Sequence, residues 1–273
     1  MRWRVLNSGC GNPAENMAVD EAIMEGVIKG TSLPTIRFYT WNPPTVSCGY
    51  NQEVAKEIDL NLVKQNGYGF VRRPTGGRMV LHEDEVTYAV ITKCEGRFSG
   101  SITDSYSEIS KALLAGFLAM GVNVELERGS LSSAHQRQTT NPCFASSSKY
   151  ELNYQRKKIV GSAQVRKENV LLQHGSILLD QDQSRLALLL PNLEPEQRDK
   201  LLQYLAKKTV SINQILSQPV SFSQAVESFM AGFRKNWGND DFFVAKELEP
   251  EEKKKSEKLV ESKYLTDDWN LKK

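Results

Sequence analysis

Apolar positions recur along this 273-residue chain with two alternating periods. In "PAENMAVDEAIMEGVIKG", Met17, Ala18, Ala22, Ile23 and Val27 share one helical face, and Gly30 stops the pattern. "TIRFYTW" alternates with period two and predicts a strand ended by "NPP". "TVSCGY" predicts a second short strand, and "VAKEIDLNLVKQNG" one amphipathic helix closed by Gly67. "GFVRR" predicts a strand, "PTGG" a turn, and "RMVLHEDEVTYAVIT" one long strand region. "TDSYSEISKALLAGFLAMG" sets Tyr106, Ile109, Leu113 and Phe117 on one helical face, and "NVELE" follows as a strand.

The periodicity then stops. "RGSLSSAHQRQTTNPCFASSSK", residues 128–149, is rich in Ser, Thr and Gln. A stretch this long without structure of its own is usually functional or disordered. After it, "YELNY", "KIVGSAQVR" and "VLLQHGSILL" predict an antiparallel meander with tight turns at "QRK" and "KEN". Helices are predicted over 194–206, 211–217 and 221–236. A last charged helix, "PEEKKKSEKLVESKYL", starts with Pro250 near N1, and its Lys/Glu mixture reads as a solvated face. There are no internal repeats. Helices and strands are interspersed with hairpin-like connections, so the expected class is α+β, with a mainly antiparallel or mixed sheet flanked by helices.

Composition narrows the function classes. Hydrophobic residues make up 40% and charged residues 25%, as in a globular protein. Lys+Arg number 35 against 33 Asp+Glu, which leaves no large basic field for nucleic acid. The start "MRWRVLNSGCGNPAENM" lacks a signal-peptide core, and no segment approaches the roughly 20 apolar residues of a membrane helix. A cytoplasmic protein is expected, with no membrane partner. Cys10, Cys48, Cys94 and Cys143 form no C-x-x-C pair, and His82, His135 and His174 add no ligand spacing, so neither zinc nor disulfides are expected. Cys48 and Cys94 lie in strand-like runs and read as small, partly buried hydrophobes. Cys10, in "NSGCGN", is expected in a turn, with no role assigned.

Three places could carry chemistry. "RRPTGGR", residues 72–78, combines arginines with glycines that let backbone approach a ligand, or it is a hairpin turn with solvated arginines. It matches neither standard nucleotide motif. "KIVGSAQVR" opens with Lys158 against apolar neighbours, either an ordinary strand-edge lysine or one desolvated for acid–base or electrostatic work. Cys143, in "TTNPCFASSSKYEL", is a chance thiol in a loop, or a nucleophile with access and a nearby cation. Lys158 follows 15 residues later, across one strand and a turn.

Taken in order, these segments resemble the biotin/lipoate protein ligase family. "NMAVDEAI" looks like its N-terminal helix and "IRFYTWNPPTVSCGYNQ" like its first strand pair. "RRPTGGRMVLHEDEVTYAVI" is similar to its Arg-Arg-x-x-Gly-Gly acyl-pocket segment. "KIVGSAQVR" with "LLQHGSIL" looks like its catalytic lysine strand and partner. The likeness runs from about residue 15 to about 240. It implies a catalytic domain over 1–245 and a charged helical extension over 246–273. "NPCF", and "LHEDEVTYAV" where ATP-dependent ligases more typically carry His-Asp and "NLNFS"-like residues, point to the octanoyltransferase branch with a cysteine nucleophile.

The resemblance implies that Cys143 carries an acyl thioester and Lys158 lowers its pKa. Arg73, Gly76, Gly77 and His82 would line the pocket, with Gly161 and Ser162 on the facing strand. The implied reaction moves octanoyl from octanoyl-acyl carrier protein to a lysine of a lipoyl domain such as the glycine cleavage H protein. Its donor is already activated, so no cofactor and no metal are expected. Arg72, Arg73, Arg78 and Lys149 are candidates for a basic rim that steers acidic partners. A monomer is the working expectation. The alternatives are an ATP-dependent lipoate-protein ligase, a lipoyl-domain amidotransferase, and a non-catalytic acyl-carrier-binding module.

Overall fold

The computed structural model describes residues 1–128, 150–238 and 240–272. Along the chain run β1 (Arg2–Gly11), α1 (Pro13–Lys29), β2 (Thr35–Trp41), β3 (Thr45–Cys48), α2 (Val54–Glu57), α3 (Leu60–Gln65), β4 (Gly69–Arg72), β5 (Val80–His82), β6 (Glu85–Lys93), α4 (Ile102–Ala119) and β7 (Glu125–Arg128). There follow β8 (Tyr150–Tyr154), β9 (Lys157–Lys158), β10 (Val160–Lys167), β11 (Val170–Leu178), α5 (Pro195–Lys208), α6 (Ile212–Ile215), α7 (Phe222–Asn236), β12 (Asp241–Ala245), α8 (Pro250–Leu259) and α9 (Asp267–Asn270).

A six-stranded sheet in the order β10-β11-β6-β2-β1-β12 forms the centre. It is mixed: β1 runs parallel to β2 and β12, and the other neighbours are antiparallel. Alternation sends Ile36, Phe38, Val86, Tyr88 and Val90 to one face, packed with Ile109, Leu113 and Phe117 of α4 and Phe229 and Phe233 of α7. Each such fully buried Leu or Phe contributes roughly 1.5–3 kcal/mol. The other face, with Tyr39, Ala89, Ile91 and Leu172, is covered by α1 and by Leu259 of α8. The α+β class with helices flanking a mixed sheet is therefore what forms. Two three-stranded sheets, β4-β3-β5 and β7-β8-β9, attach to it.

The local signals for α1 hold. Asn12 and Glu15 make a capping box, Pro13 occupies the first turn, and Gly30 closes the helix at φ 74°. Other expectations need correction. The single helix over 54–67 is two, because Ile58 is extended and buried, and Asp59 accepts from the amides of Asn61 and Leu62 to start α3. The strand region over 78–92 is broken at Asp84 (φ 45°), which sends β5 and β6 into different sheets. The strand over 158–166 splits at Ile159. Its amide donates to Leu152 and its carbonyl accepts from Leu178, so the chain changes partner there. The meander consequently divides into a β8–β9 hairpin and a β10–β11 hairpin.

Sequence periodicity missed β1 and β12. Cys10 is exposed at the end of β1, beyond an irregularity, and faces Thr40 rather than sitting in a turn. The charged face of α8 is not wholly solvated either. Glu252 is buried and accepts from both terminal nitrogens of Arg4, at 2.6 and 2.7 Å. No helix among the described residues is long and apolar enough to cross a membrane.

Candidate functional site

Residues from β2, β3, β5, β6, β10 and β11, with α1 and the 73–79 loop, enclose a pocket of about 370 Å³, counted to its open mouth. Arg73, His82, Gly161 and Ser162 are among the residues that line it. Gly76 and Gly77 lie beside the lining, in the turn that returns the chain to β5. Gly77 adopts φ 90°, and a Cβ on Gly49 would fall 2.0 Å from its carbonyl oxygen, so two backbones meet there.

Two histidines anchor the walls. His82 stacks on Trp41 with ring centroids 4.3 Å apart. Its Nε2 lies 2.8 Å from Ser47 Oγ and its Nδ1 2.8 Å from Glu85 Oε1. The direction of the chain follows from its ends. Arg73 Nη1 donates to Ser47 Oγ at 3.1 Å, which frees the Ser47 proton for His82 Nε2, and His82 Nδ1 donates to Glu85. Trp41 Nε1 donates to Thr87 at 2.7 Å, and Thr87 and Ser176 both donate to Glu85.

His174 was not expected. Its Nδ1 lies 3.0 Å from Asp20 Oδ2 and its Nε2 2.7 Å from Thr75 Oγ1. Asp20 also binds Arg37 Nη1 at 2.7 Å and accepts from the Tyr39 hydroxyl at 2.9 Å. Burial works to raise the Asp20 pKa, but the Arg37 charge and the His174 hydrogen bond outweigh it and hold the carboxyl below its ordinary value. Burial, helped by the Arg73 charge and opposed by Asp20, holds His174 below the usual histidine value. Neutral His174 thus donates from Nδ1 and accepts the Thr75 proton at Nε2.

Across the pocket, Gln173 donates to the Tyr88 hydroxyl at 2.9 Å, and the Tyr88 and Ser162 hydroxyls are hydrogen-bonded at 2.8 Å. Gly175 makes room for this contact. A Cβ there would fall 2.6 Å from Ser162 Oγ and 2.7 Å from a Tyr88 ring carbon. Most polar lining groups are therefore committed to one another.

Lys158 is buried, and its ammonium lies 2.9 Å from Glu151 Oε1, a partner sequence reasoning missed. It lies on β9, before the chain reaches the Gly161–Ser162 wall, and is not among the pocket-lining residues. Cys143, His135 and Lys149 lie outside the described residues. Of the other cysteines, burial pushes Cys48 up to about 11 despite Arg72 and Arg73, and also raises Cys94. Among the described residues, no group of three His, Cys, Asp or Glu could hold a metal ion.

The expected basic rim is corrected by burial. Arg72 and Arg73 are 0% and 4% exposed and donate to internal carbonyls, so neither can steer a partner. Arg78 is half-buried. Asp20 and His174 carried a faint signal, as charged or titratable residues on the largely buried α1 and β11.

Residues 12–234 match the lipoyl protein ligase A/B catalytic domain. The chain is 42% identical over 276 residues to an octanoyltransferase LipM of Brevibacillus brevis, covering 99% of each chain. It is also 42% identical to the Geobacillus kaustophilus octanoyltransferase LipM, covering 99% of this chain and 98% of that one. Among solved structures, a bipartite lipoate protein ligase from Thermoplasma acidophilum superposes with a TM-score of 0.81. It is 24% identical, with 99% and 96% of the two chains covered, a likeness that speaks for the fold.

Proposed function

The chain belongs to the lipoyl protein ligase A/B catalytic domain family, in its octanoyltransferase branch, and from that premise we propose a cysteine-relayed octanoyl transfer. The donor is octanoyl-acyl carrier protein and the acceptor a lysine of a lipoyl domain such as the glycine cleavage H protein, in the cytoplasm. The observation that carries this reading is the pocket's inward commitment of its polar groups. Arg73, Ser47, His82, Glu85, His174 and Asp20 bind one another, which leaves a carbon-rich surface suited to an unbranched acyl chain.

In the proposed first step, the Cys143 thiolate attacks the donor thioester carbonyl. The new C–S bond forms as the carrier's C–S bond breaks and its thiolate leaves. The acceptor amine then attacks the Cys143 thioester, forms the amide, loses a proton and releases the Cys143 thiolate. Both sulfur leaving groups are good, so no nucleotide is consumed. Lys158 is the cation that favours the Cys143 thiolate, and its ion pair with Glu151 supports a fixed orientation for the ammonium. Arg73, Gly76, Gly77, His82, Gly161 and Ser162 hold and shape the acyl site.

Mass spectrometry of the protein mixed with octanoyl-acyl carrier protein, without nucleotide, tests this. One octanoyl group should appear on Cys143, leave with hydroxylamine, and pass to apo lipoyl domain. Cys143→Ala should abolish both steps, and full transfer by that variant would remove the nucleophile. A requirement for ATP and free octanoate would favour a ligase. Loading only from an octanoylated lipoyl domain would favour an amidotransferase, and binding without turnover a silent module.

A further inference from the structure

Among the described residues, Arg72 is a charge held by carbonyls and not by a counter-charge. Its side chain is fully buried, and no carboxylate among the described residues lies within ion-pair distance of it. Carbonyls surround the guanidinium instead. Nη1 donates to Gly49, Tyr50 and Gln52 at 2.9, 3.0 and 2.9 Å. Nε donates to Trp269 and Asn270 at 3.0 and 3.2 Å, and Nη2 to Lys272 at 2.8 Å. One side of the planar fork holds the loop after β3 and the other holds the segment around α9. A lysine's point charge would not span both.

The same segment also takes the backbone of Arg72. Asn270 Oδ1 accepts from the Arg72 amide at 2.9 Å, and Trp269 Nε1 donates to the Arg72 carbonyl at 2.8 Å. Strand β4 is the edge of its small sheet, so these side chains satisfy backbone groups that no further strand reaches. Asn270 Nδ2 in turn donates to Tyr264 O at 2.8 Å. Tyr264 and Lys263 both bind Glu21, the neighbour of Asp20 on α1. Over the loop, the Lys272 ammonium sits 3.2 Å from the Tyr50 ring centroid and 4.0 Å from that of Trp269.

Arg72 leads directly into the pocket wall. Arg73 lines the pocket, and Thr75 holds His174. The Tyr50 amide donates to the Thr75 carbonyl at 2.8 Å, which joins the two loops that Arg72 braces. The "PTGG" turn between β4 and β5 holds two glycines, and Arg73 ties it together through the Gly76 and Arg78 carbonyls at 2.9 and 2.6 Å, so Arg72 braces the base of a wall that Arg73 closes.

We propose that Trp269 and Asn270 are positioning residues, which act through Arg72 to hold the Arg73–Thr75 wall in place for the acyl donor. The extension over 246–273 then serves the site as well as the fold. This inference rests on the octanoyl-transfer reading of the pocket.

Three variants separate the possibilities. Trp269→Phe keeps an aromatic ring and removes the donor to Arg72. Asn270→Ala removes the acceptor for the Arg72 amide, and Asn270→Asp retains it. Trp269→Phe and Asn270→Ala should raise the KM for octanoyl-acyl carrier protein roughly five- to tenfold, with kcat changed by less than about twofold. Hydrogen exchange should quicken at amides 49–52 and 72–78 and stay unchanged in α4 and β6. Asn270→Asp should fall between wild type and Asn270→Ala, because its carboxylate keeps the acceptor for the Arg72 amide but loses the donor to Tyr264 O. Unchanged exchange at 72–78 in Trp269→Phe, or loss of kcat and thermal stability at constant KM, would overturn the proposal. Trp269→Phe keeps the comparison readable if Asn270→Ala does not fold. Exchange is measured without substrate. It therefore tests the brace separately from octanoyl loading of the wild type, whose failure would overturn the functional reading instead.

Discussion

His174 and His82 line one pocket and are connected alike, but their carboxylate partners are supported differently. Each histidine places Nδ1 on a carboxylate and Nε2 on a hydroxyl, Asp20 and Thr75 for His174, Glu85 and Ser47 for His82. Behind Asp20 stands a full positive charge, Arg37, which also binds Ser8 and Asn16. Glu85 has, among the described residues, no lysine or arginine within ion-pair distance, and the hydroxyls of Thr87 and Ser176 converge on it instead. A buried carboxylate can thus be kept by counter-charge or by several O–H donors. The two solutions should fail differently, because an orphaned charge costs more than a lost neutral donor.

The largest expected effect follows from that asymmetry. Arg37→Met leaves Asp20 buried beside an apolar side chain and should cost about 3–5 kcal/mol in denaturant unfolding. Glu85→Gln keeps the shape and should cost less, about 1–3 kcal/mol. Equal losses in the two variants would erase the distinction between the stations.

Gly175 lies between the two networks on β11, flanked by His174 and Ser176. Gly175→Ala forces Ser162 or Tyr88 to move and should cost about 1–3 kcal/mol while raising the KM for the acyl donor. An unaltered KM would mean that the Tyr88–Ser162 contact does not shape the acyl site.

The smallest effect is a pH dependence that belongs to one histidine. Burial first, then the charge of Arg73, lowers His174 in the folded protein, against the pull of Asp20. The unfolded chain therefore binds the proton more readily. Stability is full above the ordinary histidine value of about 6.5 and declines as pH falls through the lowered folded value. Asp20 is lowered too, so its contribution persists until pH falls below the ordinary aspartate range. Thermal unfolding just below about pH 6.5 should show the decline in wild type and a shallower one in His174→Gln. An identical slope in both would assign it elsewhere.

Much of the scaffold was legible because its signals are local. The cap at Asn12, the stop at Gly30, the alternation of β2, and the buried face of Ile109, Leu113 and Phe117 each need only a short window of chain. The 168–169 turn of the β10–β11 hairpin is equally local, with both residues at positive φ. Local windows also explain the errors. The break at Asp59 and the partner change at Ile159 depend on what packs alongside, and β1 and β12 are strands because β1 pairs with both β2 and β12, and β12 closes that edge of the sheet.

The candidate site divides the same way. The sequence by itself determined the α+β class, most of the helices and strands though not β1 and β12, and a motif whose likeness to a known family named residues that include Arg73, His82, Gly161 and Ser162. Only the tertiary structure decided that Asp20, Arg37 and His174 meet, that Glu151 answers Lys158, and that Arg72 is a buried brace instead of a rim charge. The physical reason is that periodicity reports which side of an element faces the core. Whether a charged side chain inside that core is satisfied depends on partners brought from distant segments, here as far as from Arg72 to Lys272.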